Sequence, residues 1–374
     1  MDAALDPING VYAGLMSGTS LDGVDAALAR FEGGRPRLLA LAHRPMPPDL
    51  RARLLAASRA GGDSLDEVCR LAVDLAGLYA EAIEAATARS RLGADEVVAI
   101  GCHGQTVRHR PECGYTAQIV NAALLAERCG IDVICDFRSA DIAAGGQGAP
   151  LAPGFHAAAL SHPAHARVVL NLGGIANVTW LAPGQPVRGF DTGPASMLLD
   201  AWAQRQLGTP FDRDGEWALG GRLLPALLDR LLADPWFDRP PPRSTGREQF
   251  DLPWLEARLS GTEAPADVQA TLLLLTARSV AQAIARYCPG SAEVLVCGGG
   301  ARNRALMAAL ATECAPARVS SVDDAGFAAE AVEALAFAWL ARQHVLGLPG
   351  NLPEVTGARG SRVLGARYPA PRSL

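Results

Sequence analysis

The sequence predicts an α/β protein made of two similar halves, and three observations carry that prediction. Each half opens on an apolar run that breaks at a glycine-containing turn and resumes as a second apolar run, at 11–31 and again at 168–181. Each then continues through alternating helical and strand-like segments. A chain of 374 residues also exceeds what one hydrophobic core usually holds, so two domains are expected.

Taken in order, Val11–Met16, 24–31 and 37–43 read as strands. Helices are expected at 48–58 and 64–90. Ser64 and Glu67 have capping-box spacing, and Val68, Leu71, Leu75, Leu78 and Ile83 keep a helical period. A short buried strand at 97–100 ends on Gly101, followed by a helix at 122–128, a strand at Val133–Cys135 and a helix at 150–160. The second half repeats the opening with 168–172, the turn Gly173-Gly174, and Ile175–Leu181. Helices follow at 196–206, 222–232 and Pro265–Tyr287, then a strand at 293–297 and a last helix at 330–343. The proline-rich 239–243 reads as a surface loop. The tail after Gly347 carries Arg359, Arg362, Arg367 and Arg372, and on its own reads as an irregular, weakly basic, solvated end.

Composition narrows the function. Net charge is −5, with 49% apolar and 20% charged residues, which gives no electrostatic footprint for nucleic acid. The N-terminal residues, with Asp2 and Asp6, lack the basic-then-apolar pattern of a signal peptide, and the most apolar window, 272–275, is too short for a membrane span. Eight cysteines without a CxxC pair read as reduced core thiols rather than a disulfide framework. A cytoplasmic enzyme is therefore expected, with no nucleic-acid or membrane partner. The chain has no lysine: all 34 basic residues are arginine, which argues against P-loop NTPases, protein kinases and Schiff-base enzymes.

Several stretches could carry chemistry. In the first turn, Ser17, Gly18, Thr19, Ser20, Leu21, Asp22 and Gly23 offer converging backbone N–H groups and hydroxyls, a loop suited to phosphate, or else an ordinary polar turn. Asp22 and Asp25 could orient Mg²⁺ through water, or Asp22 could cap its own turn. Asn171, Gly173 and Gly174 form a second such loop. Gly298, Gly299, Gly300 and Asn303 lead from a strand into a helix, so N–H groups and a helix N-terminus face what sits there. Together these three could hold ATP.

Asp191, in Phe190-Asp191-Thr192-Gly193-Pro194, reads as a carboxylate at a strand end before a turn, either catalytic or making an Asx turn. His103 and Gln105 follow the 97–101 strand, where α/β folds commonly bind substrate, and offer neutral groups for sugar hydroxyls; a structural histidine is the alternative. A metal pair or nucleophile at Cys102/His103 is disfavoured because neighbours in a strand face opposite sides. Arg138 could clamp a substrate carboxylate, or pair with Asp136 or Asp141.

The motifs GLMSGTSLDGVD, GCHGQT, DFRSADIAAGGQGAPL, NLGGIAN, GFDTGP, PPPRSTGREQF and CGGGARN occur in order across most of the chain. In these the sequence resembles the anhydro-N-acetylmuramic acid kinases, of the sugar kinase/Hsp70/actin superfamily. That resemblance implies two ribonuclease-H-like lobes with an ATP cleft between them, and closure around ATP. The expected division is 1–162, 163–343 and a tail 344–374 packing back on the first lobe. It implies ATP and Mg²⁺ as cofactors, an amino sugar as the second substrate, and a homodimer. The reaction implied is hydrolytic opening of 1,6-anhydro-N-acetylmuramic acid with phosphorylation of O6, giving N-acetylmuramic acid 6-phosphate and ADP in cell-wall recycling.

Asp191 would then be the general base, Arg138 would bind the lactyl carboxylate, and His103, Gln105 and Glu333 would contact the sugar. The three glycine-rich stretches would be the two phosphate hairpins and the adenosine loop. Two positions depart from the family pattern: Ser196 stands where asparagine is usual, and Ala329-Glu330 where Pro-Asp is usual. The alternatives are a kinase for another acidic sugar and an ATP-dependent sugar-binding switch without turnover.

Overall fold

The computed structural model describes residues 5–18, 20–59, 64–246 and 249–371. It divides into two compact units: one runs to Ala159 and resumes at Ala331, the other spans Leu160–Glu330.

In the first unit, β1 (Val11–Met16), β2 (Gly23–Glu32) and β3 (Arg35–Pro45) form an antiparallel meander. β4 (Val97–Cys102) pairs parallel to β1, and after the hairpin β5 (Gln105–Arg110) and β6 (Tyr115–Ile119), β7 (Val133–Cys135) pairs parallel to β4. The order is β7-β4-β1-β2-β3. One sheet face is covered by the helix Leu65–Ser90, whose Leu71, Leu75, Tyr79 and Ile83 are buried in the unit's core with Leu15, Val24 and Leu28. The Ser64 side chain caps this helix by accepting from the Glu67 N–H at 3.1 Å. The reciprocal half of the capping box is replaced by a Glu67–Arg53 pair.

The second unit repeats the topology. β8 (Ala166–Leu172), β9 (Ile175–Leu181) and β10 (Arg188–Pro194) are antiparallel, and β11 (Ser291–Cys297) and β12 (Arg318–Ser321) add in parallel, giving β10-β9-β8-β11-β12. Both sheets therefore have the ribonuclease-H-like order. The helix Pro265–Tyr287 fills this unit's core with Val268, Leu272, Leu275, Val280 and Ile284. The 272–275 window expected to be too short understates it: by length and composition the whole 23-residue helix could cross a membrane, but 67% of its apolar window is buried inside the protein. Burial against a sheet explains its composition.

The chain then returns to the first unit. The helix Val332–Val345 packs on β1 and β4 so closely that a Cβ on Gly14 would lie 1.8 Å from the Ala334 carbonyl oxygen, and one on Gly101 2.0 Å from that of Phe337. The 163–343 boundary thus needs correction. Sequence order assigned this helix to the second half, whereas the bare glycine stripe on the first sheet is what receives it. The last strand, β13 (Ala366–Tyr368), pairs antiparallel to β7, and Arg367 and the Ala370 N–H bind Asp132, so the tail is not a solvated end.

None of the eight cysteines, all among the described residues, forms a disulfide, and Cys102, Cys135, Cys288, Cys297 and Cys314 are buried. Cys69 and Cys113 are exposed rather than core thiols.

Candidate active site

In the first unit the β1–β2 turn, the end of β4 and the 136–148 loop meet. The His103 N–H donates to the Leu15 carbonyl at 3.0 Å, which seats the 102–105 segment beside the β1–β2 turn. The Ser17 hydroxyl, read from sequence as a phosphate donor, is instead buried. It shares a hydrogen bond with the Tyr79 hydroxyl at 2.7 Å and braces the turn's base. Ser20 is exposed and donates to Asp22 Oδ1 at 2.9 Å. Leu21, a buried non-glycine residue at φ 55°, donates its N–H to the Gly18 carbonyl. Gly23 already belongs to β2, and Thr19 lies outside the described residues. Asp25 bonds His43 at 2.9 Å, which turns it away from a metal role. Among the described residues no group of three or more His, Cys, Asp or Glu side chains could hold a metal ion. The Asp22 carboxylate is exposed on the turn and accepts from the Ser20 hydroxyl, an arrangement compatible with a cation held through water.

Arg138 donates to His103 Nε2 from Nη2 at 2.8 Å and Nε at 3.3 Å, and from Nη1 to the Gly148 carbonyl at 2.8 Å. Arginine has no acceptor, so Nε2 is the lone-pair nitrogen and Nδ1 carries the proton. Burial, with the Arg138 charge second, holds His103 well below the ordinary histidine range, so the ring is neutral. His103 Nδ1 and Gln105 Oε1 are both buried and lack a partner, while Gln105 Nε2 donates to the Gly18 carbonyl at 3.3 Å. The pocket therefore presents one buried unsatisfied donor and one unsatisfied acceptor, a pairing that suits a hydroxyl or acyl oxygen.

Burial lowers Arg138 to about 10, and the charges of Glu333 and Asp141 oppose that fall, so it remains cationic at neutral pH. The pairing with Asp136 or Asp141 left open by sequence does not form. Asp136 accepts from Ser139, and Asp141 from the Gly148 N–H, Asn351 and Thr356. Of five guanidinium donors one on each terminal nitrogen remains, enough for a bidentate carboxylate contact. Cys102 is fully buried and burial pushes its thiol far up, which removes it as nucleophile or metal ligand.

In the second unit Asp191 does not end a strand before a turn. β10 continues to Pro194, and the register shift between Asp191 and Gly193 makes Thr192 a bulge residue, its hydroxyl bonded to the Ala176 carbonyl at 3.1 Å. Such a bulge re-aims the neighbouring side chain. Asp191 Oδ2 accepts from the Thr245 N–H at 2.8 Å. Burial raises Asp191 to about 6, against the opposing effects of the Thr245 N–H and the Arg243 charge. Arg243 and Thr245 were missed in this role, because a proline-rich segment reads as loop and nothing local shows that it folds onto β10.

The β8–β9 turn and the strand–helix turn after β11 touch. A Cβ on Gly298 would lie 2.4 Å from Asn171 Oδ1, and one on Gly300 2.6 Å from Leu172 Cβ, while Gly299 faces open space. The Gly173 and Gly174 carbonyls accept from the N–H groups of Ser196 and Ala195, so the departure at Ser196 falls at a backbone-satisfied helix start. Ala329 offers its carbonyl to the Gly298 N–H, and Glu330 pairs with Arg302. The Asn303 side-chain oxygen caps the helix Arg304–Glu313 at the Leu306 N–H.

The family model for anhydro-N-acetylmuramic acid kinase matches residues 10–370. A Bordetella petrii protein of that name is 56% identical over 366 residues, covering 96% of each chain. One from Chromobacterium violaceum is 52% identical, covering 96% of this chain and 99% of its own. Among solved structures, component A of (R)-2-hydroxyglutaryl-CoA dehydratase from Acidaminococcus fermentans aligns at 13% identity with a TM-score of 0.49, covering 90% of this chain and 99% of that one. With 361 of its residues inside one family model and relatives above half identity along its length, the chain belongs to the anhydro-N-acetylmuramic acid kinase family.

Proposed function

We propose that the protein is an ATP-dependent kinase that opens 1,6-anhydro-N-acetylmuramic acid with water and phosphorylates the released O6. The observation that carries this reading is Asp191: a largely buried carboxylate, fixed by one backbone N–H and raised to about 6, which is ionised at neutral pH yet basic enough to take a proton. Asp191 removes a proton from the water that attacks C1. The C1–O6 bond breaks with its electron pair passing to O6, and O6 displaces ADP from the γ-phosphorus. The products are N-acetylmuramic acid 6-phosphate and ADP.

Arg138 holds the lactyl carboxylate, His103 Nδ1–H, Gln105 Oε1 and Glu333 meet the sugar's polar groups, and the Glu333 charge also opposes the fall in the Arg138 pKa. For ATP, Gly173 and Gly174 offer backbone at the phosphates, and Gly299 gives a surface without side chains beside Gly298 and Gly300. The first turn (Gly18 and Ser20, with Thr19) supplies the remaining phosphate donors. Asp22 would hold Mg²⁺ through water, and the ion would supply neutralisation of phosphate charge when bound. The family's place in cell-wall recycling, a cytoplasmic location and a homodimer belong to the same reading; sedimentation at micromolar concentration tests the dimer.

The test is ADP release with Mg·ATP and the anhydro sugar, wild type beside Asp191→Asn, with the product identified by mass. Ring-opened 6-phosphate that falls about 10²–10⁴-fold in the variant supports the reading. A folded wild type that binds both ligands without turnover points instead to a switch, and one that binds no anhydro sugar to a kinase for another acidic sugar.

A further inference from the structure

Arg243 sits in the 239–245 segment, 9% exposed, and sends its donors to backbone rather than to a carboxylate. Nε donates to the Asp191 carbonyl at 2.9 Å, and Nη1 to the carbonyls of Phe237 and Arg239, both at 2.8 Å. Its guanidinium carbon lies 4.8 Å from the centre of the Trp236 ring, 5.6 Å from Tyr287 and 5.7 Å from Phe190. The bond is returned, since the Asp191 N–H donates to the Arg243 carbonyl at 3.1 Å. Two residues further on is the Thr245 N–H that holds Asp191 Oδ2. A cation buried among three aromatic rings and three carbonyls is thus spent on the main chain of one residue of β10 and on the loop that contacts its side chain.

We propose that Arg243 is the positioning residue for Asp191. It locks the Asp191 main chain to the 243–245 loop, so that the carboxylate keeps Oδ2 on the Thr245 N–H and presents Oδ1 to the reacting water. This rests on Asp191 being the general base. Arg243 touches neither substrate; it acts through the geometry of Asp191. Burial raises Asp191, while the Thr245 N–H and the Arg243 charge pull it back. The charged or titratable groups around Arg243 are Tyr287, Asp191, Arg286 and Asp238. Removing Arg243 takes away the charge and releases the loop, so both opposing influences weaken and the carboxyl rises further.

The experiment measures pH profiles of kcat/KM for Arg243→Met, Arg243→Lys, Asp191→Asn and wild type, with folding checked by circular dichroism. Arg243→Met is expected to lower kcat by about 10–100-fold, as for a misplaced catalytic group. KM should change little, and the acidic limb should move up by about one pH unit. Arg243→Lys keeps a charge and three donors for the three carbonyls, so its limb and kcat should return toward wild type. If Arg243→Met does not fold, Arg243→Gln, which has amide donors but no charge, is read in the same way. A folded neutral variant with the wild-type limb, while Asp191→Asn is inactive, overturns the proposal alone. Full turnover by Asp191→Asn overturns the base reading and this proposal with it.

Discussion

Arg138 donates two hydrogen bonds to one nitrogen of His103, a buried cation resting on a neutral imidazole. Protonating that ring would set two positive charges in contact. Burial, with the Arg138 charge second, depresses the folded-state pKa below the unfolded value, near 6.5. His156, also buried, is lowered to about 4 by burial alone. In both cases the unfolded chain binds more protons in acid, so stability holds above about pH 6.5 and falls as pH drops below it. The expected slope is up to about 1.4 kcal/mol per pH unit for each histidine. Urea denaturation of wild type and His103→Gln between pH 7.5 and 5 checks this, and the variant's acid slope should be smaller than that of wild type by up to about 1.4 kcal/mol per pH unit, the opposite-signed contribution of Asp191 being common to both.

Asp141 should govern sugar binding from behind Arg138. Its carboxylate gathers the Gly148 N–H at 2.8 Å, Thr356 at 2.7 Å and Asn351 at 2.6 Å, and the Gly148 carbonyl in turn holds Arg138. Asp141→Ala strands these donors, at a cost of about 3 kcal/mol. KM for the sugar is expected to rise roughly tenfold with KM for ATP little changed, which steady-state kinetics with each substrate varied will show.

The Ser17–Tyr79 bond ties the first turn to the helix Leu65–Ser90. Tyr79→Phe leaves the buried Ser17 hydroxyl only the Gly104 carbonyl at 3.5 Å. A loss of about 1–2 kcal/mol is expected in chemical denaturation.

Gly14→Ala tests why the final helix belongs to the first unit. The added methyl would collide with the Ala334 carbonyl oxygen at 1.8 Å, backbone that cannot yield without moving the helix. Overpacking of this kind costs about 3 kcal/mol, so the melting temperature should drop by several degrees. An alanine tolerated without change would mean that the helix is not held at that distance.

The sequence by itself determined much of this protein. Short apolar runs place β1, β7 and β9, and a 3.6-residue period places the helix Pro265–Tyr287, within a residue or two, because the burial each requires is written locally. The glycine turns, Asp191, Arg138, His103 and Gln105 stand out in the sequence because glycine and polar residues interrupt or follow apolar runs there. Tertiary structure decided the rest, wherever partners lie far apart in the chain. Only folding shows that Ser17 faces Tyr79, that Asn351 and Thr356 reach back to Asp141, and that Val332–Val345 covers Gly14 and Gly101. Arg243 is the clearest case: a loop arginine by sequence becomes a buried anchor for Asp191, because the acceptors that satisfy it are backbone carbonyls, and these leave no mark in the amino-acid order.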